Sequence, residues 1–231
     1  MQKSMIKLLS VADVISVCNA VFGGLAILVL FTDYNFKIHL SISLIFLGLL
    51  ADGLDGIIAR RFKKSDIGDY LESMADMTTM VVAPAVFIFY IYMDALSGEF
   101  IRQIFLFISL VLFFSFGIIR LASFNIFKKE KIYIGLPASA SAIILLILAY
   151  FEVQLIIILF TTIVIGALMA SDIVFPKTGK YLNSAALILI LLTIIFGKTF
   201  YGFAPIFLLI AILVFSIGGP VFMSKKAVNI Y

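Results

Sequence analysis

The sequence is short of charged residues, which make up 13% of its 231 positions, and it contains one cysteine and one histidine. A soluble domain carries about 25% charged residues, because its surface has to be covered by polar groups. With 64% hydrophobic residues, this chain has too little polar surface for a water-soluble globule. The shortage of charge therefore excludes a soluble enzyme, a nucleic-acid-binding module and a disordered chain. The single cysteine, Cys18, excludes an internal disulfide.

Long apolar runs take the place of the missing charge, and they give the chain a mean hydropathy of +1.23. Runs of about 20 residues are typical of membrane-spanning helices, whereas a membrane β-barrel has short alternating segments. We predict an all-α, polytopic membrane protein with one domain over residues 1–231. Eight spans are expected, with six or seven as alternatives because the breaks at Glu152 and Gly202 are weak. The spans are residues 12–31, 37–59, 69–93, 102–126, 136–151, 153–171, 182–197 and 203–222.

The basic residues predict how these spans are oriented. With eight spans, 14 of the 17 lysines and arginines fall on one side of the membrane and three on the other. Cytoplasmic loops carry the excess of basic residues. Both termini and the loops at 60–68, 127–135 and 172–181 are therefore predicted to be cytoplasmic.

Acidic residues are concentrated where the second and third predicted spans meet. Six of the 13 lie between positions 52 and 76. Asp52 and Asp55 share one helix face by their spacing, and Asp69, Glu72 and Asp76 share another. The short loop between the spans makes the two helices antiparallel, so the two acidic faces can meet. A charge at mid-bilayer costs about 2.5–3.5 kcal/mol, and carboxylates near the membrane are therefore functional candidates.

Clustered carboxylates repel one another unless they are protonated or neutralised by cations. Oxygen ligands select hard cations such as Mg²⁺ or Mn²⁺. Two such ions about 3.5–4 Å apart can clamp a phosphate-bearing substrate. Gly53, Gly56 and Ala59 leave room for a ligand beside these acids. Arg60 can pair with a phosphate through its planar guanidinium.

These residues form a recognisable pattern, Asp52-x2-Asp55-Gly56-x2-Ala59-Arg60 followed by Gly68-x3-Glu72-x3-Asp76. It resembles the signature of the CDP-alcohol phosphatidyltransferase family, D-x2-D-G-x2-A-R and then G-x3-D-x3-D. Glu72 stands where the signature has an aspartate, and the spacer before Gly68 is shorter than in the signature.

Further segments resemble the phosphatidylserine and archaetidylserine synthase branch of that family. In the first span, Asp13, Ser16 and Asn19 match its D-x2-[ST]-x2-N segment. Arg120-Leu-Ala-Ser-Phe-Asn125 is similar to its RLARFN stretch, with Ser123 in place of an arginine. Later matches are Gly135-Leu136-Pro137 and the stretch from Met169 to Lys177.

The resemblance implies a reaction and a set of residue roles. A CDP-linked lipid would give its phosphatidyl-type group to the hydroxyl of L-serine, with release of CMP. Two divalent cations, Mg²⁺ or Mn²⁺, would be held by Asp52, Asp55, Glu72 and Asp76, and Asp76 would also be the general base. Arg120 is the candidate for the serine carboxylate. The remaining CDP-binding positions would be Asn19, Gly56, Ala59, Arg60 and Gly68.

The resemblance also implies a homodimer. The apolar spans predict an integral protein of the cell membrane in contact with membrane lipids, and the basic residues predict that its active site lies at the cytoplasmic face. Two alternatives remain open at this point. The same chemistry could use glycerol phosphate or inositol phosphate as the acceptor. The acidic cluster could instead be the ion path of a cation transporter, although the acids lie at one membrane face and no internal repeat is visible.

Overall fold

A computed structural model describes residues 9–58, 65–127, 132–177 and 179–228. Within these ranges it gives the backbone alone for residues 55–58, 125, 127, 180 and 224–228. The described chain is a helical bundle with one small two-stranded antiparallel sheet. The predicted all-α membrane class is confirmed.

The first half of the chain forms four helical stretches that coincide with the first four predicted spans. The first of them begins with a capping box, in which the Ser10 and Asp13 side chains each accept a hydrogen bond from the backbone N–H of the other. The third stretch is interrupted by a π-helical turn, which we call the π segment. The elements are α1 (Val11–Leu30), α2 (Lys37–Ile58), α3 (Gly68–Asp76), the π segment (Met77–Val82), α4 (Ala83–Met93) and α5 (Phe100–Phe127).

The second half contains four more helices and two strands of three residues each. They are β1 (Ile132–Ile134), α6 (Ala138–Tyr150), α7 (Leu155–Met169), β2 (Val174–Pro176), α8 (Lys180–Phe196) and α9 (Thr199–Val228). The strands pair antiparallel, with Tyr133 opposite Phe175. Sequence reasoning treated both strands as loops. Their pairing places the α5–α6 and α7–α8 connections on the same side of the bundle.

Five helical stretches are long and apolar enough to cross a membrane, and α6, α7 and α8 are shorter apolar helices. The long ones are Val11–Leu30, Lys37–Leu54, Gly68–Leu96, Phe100–Phe124 and Thr199–Met223. α6 lies at the centre, with its side chains buried on nearly all sides. In contrast, only 11% of the apolar window of α9 is buried, so this helix presents most of its surface outward.

The two weak breaks in the hydropathy pattern are real turns. Glu152 has a φ of 53° between α6 and α7, and the backbone at Phe200, Tyr201 and Gly202 is left-handed where α9 begins. The described chain therefore has eight separate helical stretches, as the sequence predicts.

His39 connects three helices at the end of the bundle opposite the two-stranded sheet. Its Nε2 lies 3.1 Å from the Ile194 carbonyl oxygen, and its Nδ1 lies 3.0 Å from the Tyr150 hydroxyl. Because a carbonyl can only accept, Nε2 carries the hydrogen, and in the neutral ring Nδ1 then accepts from the Tyr150 hydroxyl. This histidine ties α2 to α6 and α8.

Candidate active site

The polar residues of the first span line one buried face of α1. Asp13, Ser16 and Asn19 are three residues apart, and each has at most 4% of its surface exposed. Buried polar side chains are costly unless they are hydrogen-bonded; here Asp13 accepts from the Ser10 backbone N–H and Ser16 donates to the Ala12 carbonyl oxygen. The face is in contact with α2, α3 and the π segment.

Three helices meet closely at Gly48 of α2. A Cβ at this position would lie 2.5 Å from Thr79 Cγ2 in the π segment and 2.9 Å from Asn19 Oδ1 in α1. Gly23 of α1 makes a similar close approach, since its Cβ would lie 2.9 Å from Thr79 Cα. The absence of these two side chains allows α1, α2 and the π segment to pack against one another.

Two predicted metal ligands lie one turn from this meeting point, both in the same direction along the bundle. Asp52 follows Gly48 by four residues on α2, and Asp76 precedes Thr79 by three residues on α3. Asn19 Nδ2 donates a hydrogen bond to Asp76 Oδ1 over 3.1 Å. Glu72 lies one further turn away on the face of α3 that carries Asp76. The structure therefore brings Asn19 and Asp76 together, and the helix geometry places Asp52 and Glu72 toward the same end.

The other predicted positions are described in part or lie outside the described residues. Gly68 is buried and begins α3. Asp55 and Gly56 belong to the last turns of α2, where the backbone alone is described. Ala59 and Arg60 lie outside the described residues.

The residues that are present fit a hard divalent cation. Within the described residues, which leave out the Asp55 side chain, no group of three or more His, Cys, Asp or Glu side chains could hold a metal ion by itself. The potential metal ligands near Asp76 are oxygen atoms. One of them, Asn19 Oδ1, is buried and accepts no hydrogen bond. A buried acceptor without a donor costs about 1–3 kcal/mol. A cation or a polar ligand would satisfy it, and oxygen donors are the type that Mg²⁺ and Mn²⁺ select.

Arg120 is a buried cation near the end of α5, with 6% of its surface exposed. Its Nε lies 3.4 Å from the Leu136 carbonyl oxygen, and its guanidinium carbon lies 5.3 Å from the centre of the Phe124 ring. In the part of the chain that the structure describes, no carboxylate pairs with Arg120. A buried charge is expected to have a counter-ion, and an anionic ligand can supply it here.

The backbone next to the two-stranded sheet determines where the Leu136 carbonyl, which contacts Arg120, lies. Gly135 follows β1 with a φ of 76°, and a Cβ there would collide with the Met169 carbonyl oxygen. Its N–H donates to the Ile173 carbonyl over 2.8 Å, and the next N–H, that of Leu136, donates to the Leu168 carbonyl over 3.0 Å. These contacts fix the Leu136 backbone, so that its carbonyl is available to Arg120.

Two features of the site were not predicted from the sequence. Thr79 is fully buried and donates a hydrogen bond from Oγ1 to the Asn19 main-chain oxygen over 2.8 Å. The Leu136 carbonyl contacts Arg120. Two adjacent threonines in an apolar run carry no chemical signal, and a main-chain carbonyl carries none at all. The Gly135-Leu136-Pro137 motif was the available sign that this backbone has a special path.

Known proteins resemble this chain over most of its length. A family model described as CDP-alcohol phosphatidyltransferase matches residues 9–175. A CDP-diacylglycerol--serine O-phosphatidyltransferase of Methanocaldococcus jannaschii is 34% identical over 172 residues, which cover 74% of this chain and 76% of the relative. A Bacillus subtilis protein of the same name is 33% identical over 148 residues, or 63% of this chain and 79% of the relative. The archaetidylserine synthase of Methanothermobacter thermautotrophicus is 30% identical over 188 residues, or 76% and 73%.

Proposed function

Because this chain belongs to the CDP-alcohol phosphatidyltransferase family, we propose that it transfers the phosphatidyl-type group of a CDP-linked lipid to L-serine and releases CMP. The relatives named for serine transfer support this choice of acceptor. The observation that carries the proposal is the hydrogen bond from Asn19 Nδ2 to Asp76 Oδ1. It joins the first-span motif of the serine branch to the last acidic position of the family signature.

The reaction is a displacement at the β-phosphorus of the CDP-linked lipid. The serine hydroxyl oxygen forms a bond to this phosphorus, and the bond from the phosphorus to the oxygen shared with CMP breaks. Asp76 takes the proton of the serine hydroxyl, and CMP leaves with the shared oxygen. Positioned acid–base catalysis of this kind contributes about 10²–10⁴-fold to a rate.

Asp52, Asp55, Glu72 and Asp76 are the proposed holders of two divalent cations. Family members are generally divalent-cation dependent. Bound Mg²⁺ or Mn²⁺ would neutralise charge on the pyrophosphate oxygens and orient the phosphorus for attack. The proposed nucleotide and phosphate positions are Asn19, Gly56, Ala59, Arg60 and Gly68.

Arg120 is the proposed partner of the serine carboxylate. Its planar guanidinium can form two parallel hydrogen bonds to a carboxylate. The Phe124 ring and the Leu136 carbonyl hold it in place, which lowers the entropy cost of binding. An uncharged acceptor would leave this buried cation without a counter-ion.

The chain is a membrane protein, and we place its active site and both termini on the cytoplasmic side. The excess of basic residues supports this orientation. The pairing of β1 with β2 also supports it, because two predicted cytoplasmic loops meet there. Membrane lipids surround the bundle, and a homodimer is the expected assembly.

The test is CMP release by the purified protein in detergent, with Mn²⁺ and with or without L-serine. CDP-diacylglycerol and CDP-archaeol are compared, because the relatives' names include both diacylglycerol and archaetidyl lipids. We expect release that depends on serine and stops when EDTA removes the cation. Asp76→Asn should lower kcat by about 10²-fold or more. Asp69→Asn, an exposed acid on the same helix outside the signature, is the control and should keep its activity.

Each other outcome changes a different part of the proposal. Release that requires glycerol phosphate or inositol phosphate would replace serine as the acceptor. Full activity in Asp76→Asn would remove this residue as the base. Cation flux through vesicles without any CMP release would point to transport.

A further inference from the structure

The π segment that follows Asp76 has a property that the proposed reaction does not require. Its Thr79 hydroxyl bonds to a different helix, whereas threonines in helices commonly donate to a carbonyl of their own helix. Thr78 does so, with its hydroxyl 3.0 Å from the Met74 carbonyl oxygen. Thr79 Oγ1 instead donates to the Asn19 main-chain oxygen of α1 over 2.8 Å.

Together these contacts close a ring that contains the Asp76 carboxylate. The chain leads from Asp76 to Thr79 within three residues, Thr79 bonds to the Asn19 backbone, and the Asn19 amide bonds back to Asp76 Oδ1 over 3.1 Å. A carboxylate oxygen only accepts, so the Asn19 group that faces it is the NH2. The ring fixes both the distance between α1 and α3 and the orientation of the carboxylate.

Two members of the ring, Thr79 and Asn19, are enclosed by protein. Thr79 and Asn19 have 0% and 1% of their surfaces exposed. Gly23 and Gly48 approach Thr79 from two helices, and a Cβ at either glycine would lie within 3 Å of it. The hydrogen bond from Thr79 to the Asn19 main-chain oxygen is buried, so that no water competes for it.

We propose that Thr79 and Asn19 act as a positioning pair, which holds the Asp76 carboxylate where it can accept the serine proton and bind its cation. The inference rests on the role of Asp76 proposed above. A π turn at this place supplies the register that points Thr79 toward α1, and π turns inside helices occur frequently at functional sites. A displacement of about 1 Å in a reacting group can cost about 10²-fold in rate.

Three threonine variants test the pair in the serine-dependent CMP assay. Thr79→Val removes the hydroxyl and keeps the shape, Thr79→Ser keeps the hydroxyl, and Thr78→Val removes the neighbouring hydroxyl that bonds within its own helix. We expect Thr79→Val to lower kcat by about 10- to 100-fold while each KM changes by less than about twofold. Thr79→Ser should recover most of kcat, and Thr78→Val should match the wild type.

A second measurement separates positioning from a general loss of structure. Mn²⁺ binding to the enzyme without substrates is followed by electron paramagnetic resonance. Residues that orient a metal ligand typically affect affinity by about 10- to 100-fold. We expect the Mn²⁺ dissociation constant to rise at least about tenfold in Thr79→Val and to stay unchanged in Thr78→Val. Equal kcat and equal Mn²⁺ affinity in Thr79→Val and the wild type, measured per folded protein, would overturn the inference.

The Asp76→Asn background distinguishes the pair from the proposed base. If Asp76→Asn lowers the rate to a small residual value, adding Thr79→Val should change that residual rate by less than about twofold, because both residues act through the same carboxylate. A further large loss would show that Thr79 acts elsewhere, and would overturn the pair while leaving Asp76 in place. An active Asp76→Asn would instead contradict the assignment of the base.

Discussion

Arg120 illustrates what a buried charge indicates at the scale of one residue. A guanidinium removed from water loses several kcal/mol of solvation, which its surroundings must offset. Phe124 and the Leu136 carbonyl provide partial compensation, and the described residues include no carboxylate that pairs with it. In the proposed reaction, the carboxylate of the serine acceptor can complete the balance.

Replacing Arg120 by lysine tests this assignment, because it keeps the charge and removes the planar fork. We expect Arg120→Lys to raise the KM for serine by about 10- to 100-fold, as befits the loss of a charged hydrogen bond worth about 1.5–3 kcal/mol. The KM for the CDP-linked lipid should remain unchanged. Steady-state CMP release at varied serine and varied lipid measures both.

Arg102 supplies the control on the same helix. Its guanidinium is exposed and pairs with Glu99 at 2.7 Å, and an exposed pair contributes little. Arg102→Lys should leave both KM values at the wild-type level. An unchanged serine KM in Arg120→Lys, or an equal rise in both KM values, would contradict a role in holding the acceptor.

The sequence predicts the charged residues of the site better than the uncharged ones. Asp52, Glu72 and Asp76 stand out because a carboxylate in an apolar chain is costly, and their spacing places them on helix faces. Thr79 is more deeply buried than these carboxylates, yet threonines in an apolar run are common in membrane helices. Its importance depends on a contact with α1, sixty positions away in the chain, which no local pattern records.

At the scale of the elements, the π segment is closely approached by three neighbouring helices. Gly23 of α1 and Gly48 of α2 contact Thr79, and a Cβ at Gly117 of α5 would lie 2.6 Å from Val81 Cγ1. Small residues allow membrane helices to approach closely, and such packing is their main source of association energy. The segment is therefore fixed from three helices at once.

Adjacent glycines of α1 allow a matched test of this packing. A Cβ at Gly23 would lie 2.9 Å from the Thr79 backbone, whereas a Cβ at Gly24 would meet nothing within 4 Å. We expect Gly23→Ala to lower the free energy of unfolding by about 1–3 kcal/mol through overpacking. Gly24→Ala should leave it unchanged or raise it by up to about 1 kcal/mol, since alanine favours helix.

Unfolding in mixed detergent, followed by circular dichroism, measures both variants. The CMP assay should show a loss of kcat in Gly23→Ala alone, because Thr79 and Asn19 are displaced together. Equal stability of the two variants would show that α1 and the π segment can separate without cost.

The elements themselves could be predicted to different degrees. Each of the eight predicted spans coincides with a helical stretch in the described chain, because a long apolar run in a membrane can satisfy its backbone only as a helix. The strands β1 and β2 have three residues each, which is too short for an alternating pattern. The π segment was also not predicted, since its extra residue per turn follows from contacts with neighbouring helices.

At the scale of the whole molecule, the two ends of the bundle are chemically different. One end contains Asp52, Asp76, Arg120 and the two-stranded sheet. The opposite end contains the His39 contacts with Tyr150 and Ile194, together with an exposed ion pair between Lys198 and Glu152 at 3.4 Å. Charged substrates cannot cross a bilayer unaided, so the orientation of the bundle decides which compartment supplies them.

Membrane orientation can be measured directly because the chain contains one cysteine. In a Cys18→Ser background, Asp33→Cys and Asp172→Cys place single thiols at exposed positions in the α1–α2 and α7–α8 connections. A membrane-impermeant maleimide is applied to intact cells that express each variant. We expect Asp33→Cys to react from outside, and Asp172→Cys to react only after permeabilisation, because the basic loops are cytoplasmic. Labelling of Asp172→Cys in intact cells would place the two-stranded sheet and Arg120 outside, where the CDP-linked lipid of the proposed reaction would have to be delivered.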